Sequence, residues 1–102
     1  MLNQLTLVGR LVSDPQINET KNKTKECNIT LAVPRTYKNE TDFIPVRLCN
    51  EIATKVVEYC KKGDLVGIKG RIQTRQEENN NIIEIIAERV TFLCNKSNKE
   101  EE

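Results

Sequence analysis

The sequence predicts an all-β fold in which five strands close into a Greek-key barrel, with one helix between the third and fourth strands. Apolar residues recur mainly at the two-residue period of half-buried strands, and one stretch with helical spacing interrupts them near the middle of the chain. The length of 102 residues allows one domain with one hydrophobic core. We therefore expect a single barrel domain.

Three strands are predicted before residue 50. The first covers residues 5–11, and the polar segment 18–25 that follows predicts an exposed loop. The second begins near Glu26, alternates apolar with polar residues, and ends or bends at Pro34. The third covers residues 43–49, and its even-numbered side chains are expected to face the core: Ile44, Val46 and Leu48.

A helix and two strands are predicted after residue 49. Asn50 can cap the helix, and Lys61-Lys62-Gly63 can end it with a basic turn and a glycine. The helix packs through an apolar stripe: Ile52, Val56, Tyr59 and Cys60. The fourth strand covers residues 65–75, a polar hairpin loop covers 77–81, and the fifth strand covers 82–93. Four residues of the fourth strand are expected to point inward: Val66, Ile68, Ile72 and Thr74.

This order of elements matches the OB-fold, a five-stranded barrel whose open face and loops bind oligonucleotides. We expect residues 1–94 to form the OB-fold domain and residues 95–102 to form a short, disordered acidic tail, since the tail is charged and has no apolar residue. No secretory signal and no membrane-spanning apolar stretch is present, which predicts a cytoplasmic protein that does not contact membranes.

Residues for catalysis or metal binding are scarce. The chain contains no histidine, so neither an imidazole base nor a mixed Cys/His zinc site can form. Its cysteines lack paired C-x-x-C spacing and are expected to be buried free thiols: Cys27, Cys49, Cys60 and Cys94. The sequence therefore predicts a protein that is not an enzyme, with no catalytic residue, no bound metal and no cofactor.

Charge is distributed unevenly along the chain. Residues 1–75 contain 13 Lys and Arg against 8 Asp and Glu, whereas residues 76–102 contain 3 against 7. Alternation places Phe43 and Arg47 of the third strand on one outer face with the fourth-strand cations Lys69, Arg71 and Arg75. Single-stranded nucleic acid needs this combination, because cations neutralise phosphates while a flat ring stacks on an unpaired base. The alternative is that these charges merely form a solvated strand face.

Three other aromatic residues are ambiguous or structural. Tyr37 can offer a second stacking ring, but it points outward only if the chain bulges near Val33-Pro34, because its parity is that of core residues. Tyr59 is expected to pack with the helix, and Phe92 is expected to lie in the core.

Six segments, in this order and spacing, resemble the bacterial single-stranded DNA-binding protein family, in a short form without its usual C-terminal tail: Asn3-Gln4-Leu5-Thr6-Leu7-Val8-Gly9-Arg10-Leu11, Asp14-Pro15, Asn28-Ile29-Thr30-Leu31-Ala32-Val33, Thr41-Asp42-Phe43-Ile44, Lys61-Lys62-Gly63-Asp64 and Gly70-Arg71-Ile72-Gln73-Thr74-Arg75. The resemblance implies an OB-fold homotetramer that coats single-stranded DNA without sequence preference and protects it in replication, recombination and repair. It also implies that Tyr37 and Phe43 stack on bases.

Together, the alternation and the resemblance give these candidate DNA-contacting residues: Arg10, Arg35, Tyr37, Phe43, Arg47, Lys61, Lys62, Lys69, Arg71 and Arg75. The sequence departs from the family where Cys49 replaces a usual aromatic residue and where Glu77 stands near another aromatic position. It also lacks the family's Gly/Pro/Gln-rich linker and Pro-Phe tip, so recruitment of protein partners through the tail is not expected.

Two other functions compete with this interpretation. The low aromatic content and the short tail would suit a dimeric replication-restart scaffold resembling primosomal replication protein N. A nuclease or transferase built on an OB-fold is the third possibility, although the lack of histidine and of clustered carboxylates argues against it.

Overall fold

The computed structural model describes residues 1–20 and 22–94. Its strands are β1 (Leu5–Leu11), β2 (Asn18–Glu19), β3 (Lys25–Pro34), β4 (Thr41–Cys49), β5 (Leu65–Glu77) and β6 (Asn80–Cys94), and helix α1 (Asn50–Tyr59) lies between β4 and β5. The all-β class and the place of the helix are confirmed. The two-residue strand β2 lies where the sequence predicted only a loop. The expected acidic tail lies outside the described residues.

The strands form one sheet in the order β1-β5-β6-β4-β3-β2, and β1 also pairs with β3. That additional pairing closes the five long strands into a barrel. Arg47 of β4 aligns with Ile86 of β6 in parallel, whereas the other pairings of the described strands are antiparallel. This is the Greek-key arrangement expected of the OB-fold.

The inward-facing side chains of the strands form one core with one face of α1. The helix contributes Ala53 and Val56, and Cys60 follows directly after it. The buried apolar residues of the strands are Leu11, Cys27, Ile29, Leu31, Val46, Leu48, Val66, Ile68 and Ala87. Helix α1 is ten residues long. In the described part of the chain, no helix is long and apolar enough to cross a membrane.

The helix begins one residue earlier than its sequence signal indicated. Cys49 is the N-cap residue and makes no capping hydrogen bond with its side chain. Asn50 is the first residue of α1, and its φ of 55° is a left-handed conformation that asparagine tolerates better than most residues. The prediction that Asn50 caps the helix is therefore wrong.

The β5–β6 hairpin extends beyond the barrel. Pairing of β5 with β1 stops at Gly70, whereas pairing with β6 continues to Glu77, opposite Asn80, so the connecting turn is only two residues long. Ile72 occupies a position with the same alternation as the inward-facing Val66 and Ile68, as the sequence predicted. It is nevertheless 44% exposed, because this part of the strand projects beyond the barrel and no other described strand covers it. Thr74 is exposed for the same reason, which corrects the expectation that both are buried.

A bulge lies in the same hairpin between Lys69 and Gly70. A Cβ atom at Gly70 would lie 2.2 Å from the carbonyl oxygen of Ile86, so only glycine permits this approach of β5 to β6.

Tyr59 and Phe92 contact each other at the surface. Their ring centroids lie 5.9 Å apart at an interplanar angle of 60°, and both side chains are exposed. The predictions that Tyr59 packs in the helix stripe and that Phe92 lies in the core are wrong, because each ring covers the other instead of entering the barrel.

Two aspartates fix the turn between α1 and β5. The carboxylate of Asp64 accepts a hydrogen bond from the Lys61 amide at 2.8 Å, and the carboxylate of Asp14 accepts one from the Lys62 amide at 2.7 Å. Asp64 is only 1% exposed, whereas Asp14 is exposed. Leu11 then ties this turn to β1, because its amide donates to the Asp64 carbonyl oxygen at 3.0 Å.

Replacement of Asp64 should therefore destabilise the fold more than replacement of Asp14. We expect Asp64→Ala to lower the free energy of unfolding by about 1–3 kcal/mol, because a partly buried amide loses its acceptor where water has little access. Asp14→Ala should cost less than about 1 kcal/mol, since water can replace an exposed carboxylate. Urea denaturation of both variants measures the difference, and equal losses would contradict this account.

Candidate nucleic-acid interface

The outer face of β3 and β4 carries the aromatic residue that alternation selected. Phe43 pairs with Ala32, and its ring is 64% exposed. Further along β4, Arg47 aligns with Asn28 on one side and with Ile86 on the other, also with its side chain on the outer face. Phe43 and Arg47 thus lie on one exposed surface, where the sequence predicted them.

A groove of about 250 Å³ separates β4 from the projecting β5–β6 hairpin. Its lining combines apolar side chains with charged groups: Asn28, Pro45, Val46, Arg47, Arg75, Ile82, Ile83, Glu84 and Ile85. A larger cleft of about 470 Å³ lies between the β2–β3 turn and α1, and its described lining carries lysines together with Glu51 and Glu58. The smaller groove has apolar walls and shares strand β4 with the exposed ring of Phe43, so it is the better candidate for a base.

Ion pairs connect the charged groups of this groove. Arg47 Nε lies 2.9 Å from Glu26 Oε1 without hydrogen-bond alignment, and Arg47 Nη2 donates to Glu26 Oε2 at 3.2 Å. Arg47 Nη1 also lies 3.5 Å from Glu84 Oε1. Arg75 Nε donates to Glu84 Oε2 at 3.3 Å, and its Nη1 donates to Glu77 Oε2 at 2.9 Å. Glu84 is therefore shared by both arginines.

These contacts shift the pKa values of the groove's charged groups. A hydrogen bond from Gln73 Nε2, at 2.9 Å, is the main cause that lowers the pKa of Glu84, and Arg75 and Arg47 lower it further. Burial opposes the charge of Arg47, but the contacts with Glu26 and the charges of Cys49 and Glu84 together outweigh burial and raise the pKa of Arg47. Both shifts reinforce the charged form that each group already has at neutral pH, so the cations of the groove are compensated by carboxylates within the protein.

The other cations predicted on strand β5 lie in different surroundings. Arg71 Nε is 3.6 Å from Glu88 Oε2, and Arg71 Nη1 donates to Gln73 Oε1 at 2.7 Å. Lys69 pairs with Thr6 on β1 and with Arg89 on β6, and makes no ion pair with any other described residue. Lys69 lies in the part of β5 that pairs with both β1 and β6, and it is not among the described residues that line the groove. Its contact with DNA stays a prediction.

The β3–β4 loop presents the second aromatic ring. Arg35 pairs with Glu40 and, at 2.9 Å, with Asp42, and its amide donates to the Glu40 carbonyl oxygen at 2.7 Å. The hydrogen bond from Arg35 lowers the pKa of Asp42. Tyr37 is 61% exposed in this loop, and Lys38 Nζ lies 6.0 Å from its ring centroid. The register of β3 with β4 is continuous to Pro34, so Tyr37 is exposed because it follows the strand, without the bulge that alternation required.

The remaining predicted residues lie around the α1–β5 turn. Arg10 Nη1 donates to the carbonyl oxygen of Gly63 at 3.0 Å, and Lys61 and Lys62 are exposed beside it. These three cations form a basic cluster of their own, separate from the groove lining. Cys49 is half-buried on β4, opposite Glu26. The described residues contain no group of three or more Cys, Asp or Glu placed to hold a metal ion.

Several residues of the groove were not predicted. Asn28 and Glu26 carry a signal in the sequence, because they occupy the polar positions of the alternating strand β3. Glu84 carries none, since its contacts depend on the register of a hairpin and on an arginine 37 residues away.

Comparison with known proteins gives consistent matches. The model of the single-strand binding protein family matches residues 2–93. The chain is 44% identical over 103 residues to a single-stranded DNA-binding protein of Halalkalibacterium halodurans, a match that covers 91% of this chain and 61% of that protein. It is 40% identical to single-stranded DNA-binding protein B of Bacillus subtilis, with 91% of each chain covered. It is also 40% identical to single-stranded DNA-binding protein 2 of Staphylococcus aureus strain COL, covering 99% of this chain and 80% of that one.

Removal of the main hydrogen bond to Glu84 should raise the pKa of that residue. We expect Gln73→Ala to move the pKa of Glu84 towards its ordinary value of 4.5, whereas Gln76→Ala, an exposed change on the same strand, should leave it unchanged. Because the pKa is lower in the folded state than in the unfolded state, the stability that Glu84 contributes is present above about pH 4.5 and is lost as the pH falls through the folded value. Carboxyl ¹³C NMR titration measures the shift, and an unchanged pKa in Gln73→Ala would show that other groups set it.

Proposed function

The chain belongs to the single-strand binding protein family, and from that premise we propose that it binds single-stranded DNA without sequence preference, coating and protecting it in replication, recombination and repair. The observation that carries the proposal is the exposed ring of Phe43 on the outer face of an OB barrel, on the same strand as the groove-lining residues Pro45 and Arg47. The relatives are named single-stranded DNA-binding proteins, which favours this function over a replication-restart scaffold. A role on DNA also keeps the cytoplasm as the proposed location.

Stacking is the proposed source of sequence tolerance. Every base has a flat face, so an aromatic ring that stacks on it contributes about 1–3 kcal/mol whatever the base. Phe43 offers a ring fixed on a strand, and Tyr37 offers one in the adjoining loop. A strand of DNA lying along this face can place successive bases on the two rings.

Phosphate contacts are proposed for the cations without carboxylate partners among the described residues. Lys38 lies beside Tyr37, and Arg10, Lys61 and Lys62 form the basic cluster at the α1–β5 turn. Each neutralised phosphate of a single strand contributes about 0.7 to the dependence of log affinity on log salt concentration. Binding should therefore weaken as salt rises, although less steeply than the number of predicted cations suggests.

We propose that the protein is not an enzyme and uses no cofactor. The sequence has no histidine, and the carboxylates of the groove are held by arginines, which leaves no free pair of carboxylates there for acid–base chemistry.

Assembly into a homotetramer is proposed from two features of the surface. Residues 5–9 of β1 pair with β5 on one side and with no described strand on the other, so this strand edge can pair with a second copy. On the outer face, Val8 and Leu93 are exposed apolar residues on either side of Gly67. Both features suit contact with identical subunits better than contact with water.

Sedimentation velocity should give a mass four times that of the 11.7 kDa chain. A dimer that binds oligo-dT feebly would instead favour the replication-restart scaffold.

The stacking role of Phe43 can be tested directly. We expect Phe43→Ala to weaken binding of oligo-dT and oligo-dC alike by about 1–3 kcal/mol, that is, about 5- to 150-fold in Kd. Tyr59→Ala, which removes an exposed ring on α1 away from this face, should leave Kd within about twofold. Fluorescence anisotropy with labelled oligonucleotides measures both. If wild-type protein binds duplex DNA as tightly as oligo-dT of equal length, the proposed function is wrong.

A further inference from the structure

We infer that Glu84 is a positioning residue that withholds Arg47 and Arg75 from the phosphates of bound DNA, and that it thereby sets the affinity and the salt dependence of binding. The inference rests on the proposed function and concerns the groove between β4 and the β5–β6 hairpin. The sequence predicts both arginines as phosphate contacts, whereas in the structure each of them already forms ion pairs with carboxylates.

Both oxygens of Glu84 are occupied. Oε1 accepts a hydrogen bond from Gln73 at 2.9 Å and lies 3.5 Å from Arg47, while Oε2 accepts from Arg75 at 3.3 Å. The side chain of Glu84 is 15% exposed, against 32% for Arg47 and 50% for Arg75. The side chain of Glu84 is thus less exposed than either arginine side chain, and water and salt screen its attraction less than that of an exposed carboxylate.

The charge balance of the groove disfavours a phosphate. Two guanidinium groups face three carboxylates, those of Glu26, Glu77 and Glu84. A phosphate that reaches Arg75 must displace an internal counter-ion, so the gain from the new pair is largely offset by the loss of the old one. The apolar walls formed by Pro45 and Ile82 suit the flat face of a base instead.

Glu84 differs from the other two carboxylates because it alone contacts both arginines. Glu26 pairs with Arg47, and Glu77 pairs with Arg75 and is 54% exposed. The position of Glu84 is also fixed from the neighbouring strand, since Gln73 lies directly opposite it and donates to it. Removal of this one negative charge should therefore weaken the hold on both arginines at once, leaving Arg47 with Glu26 alone and Arg75 with the exposed Glu77 alone.

The test is Glu84→Gln in the full chain, titrated with labelled oligo-dT at a series of KCl concentrations. The amide keeps the shape of the side chain and an oxygen acceptor but not the charge. We expect affinity at low salt to rise about three- to tenfold, and the slope of log affinity against log salt to steepen by about 0.7 for each arginine that gains a phosphate. Glu58→Gln is the matched control, because it removes one charge from an exposed site on α1 that makes no ion pair with other described residues. Equal behaviour of the two variants, or weaker binding by Glu84→Gln at an unchanged slope, would overturn the inference.

If thermal unfolding shows that Glu84→Gln is not folded, Arg75→Ala in the wild-type background still tests the inference. In the wild-type background the slope should change by less than about 0.3, since Arg75 is withheld, whereas a full decrease of about 0.7 would overturn the inference. In the Glu84→Gln background, where Arg75 keeps only the exposed carboxylate of Glu77 and a phosphate can compete for it, the same change should lower the slope by about 0.7. Wild-type protein that binds no single-stranded DNA would refute the proposed function itself, a result distinct from each of these.

Discussion

The register between β5 and β6 is the constraint on which the groove depends. Side chains alternate along a strand, so a slip of one residue would turn Glu84 away from Gln73 and Arg75. The two-residue turn after Glu77 fixes one end of this register, and the bulge at Gly70 fixes the other. At Gly70 the backbone of β5 lies so close to the Ile86 carbonyl of β6 that no larger residue fits. This close contact between the two backbones therefore helps to determine which charged side chains meet on the outer surface.

The groove shows how a protein with a net charge of only +1 can still suit a polyanion. Exposed ion pairs are individually weak, because water and salt screen them. Here the pairs share Glu84 and are partly buried, which makes the network more persistent than separate surface pairs. The rings of Phe43 and Tyr37 are not part of this network, so the proposed base stacking and the charge compensation involve different residues. Binding on this surface is consequently expected to depend more on stacking than its count of arginines indicates.

Local patterns in the sequence predicted most of the fold and part of the site. The period of apolar residues located all five long strands and the helix, and alternation placed Phe43 and Arg47 outside, because both properties depend only on neighbouring residues. The exposure of Ile72 could not be predicted, since parity states which way a side chain points but not whether a barrel wall lies there. The ion pair between Arg47 and Glu84 could not be predicted either, because it joins β4 and β6, which are distant in the sequence and meet through a parallel pairing.

The Arg35 contacts in the β3–β4 loop have a consequence for the energetics of recognition. A ring in a loose loop must lose conformational freedom when it stacks, whereas a ring in a loop already closed by Arg35, Glu40 and Asp42 has lost much of it in advance. These closing pairs are exposed, so salt weakens them as it weakens contacts with phosphate. Part of the salt sensitivity of binding would then originate within the protein, because salt loosens the loop that carries Tyr37. This part of the salt sensitivity would persist for an uncharged ligand that stacks on the same ring.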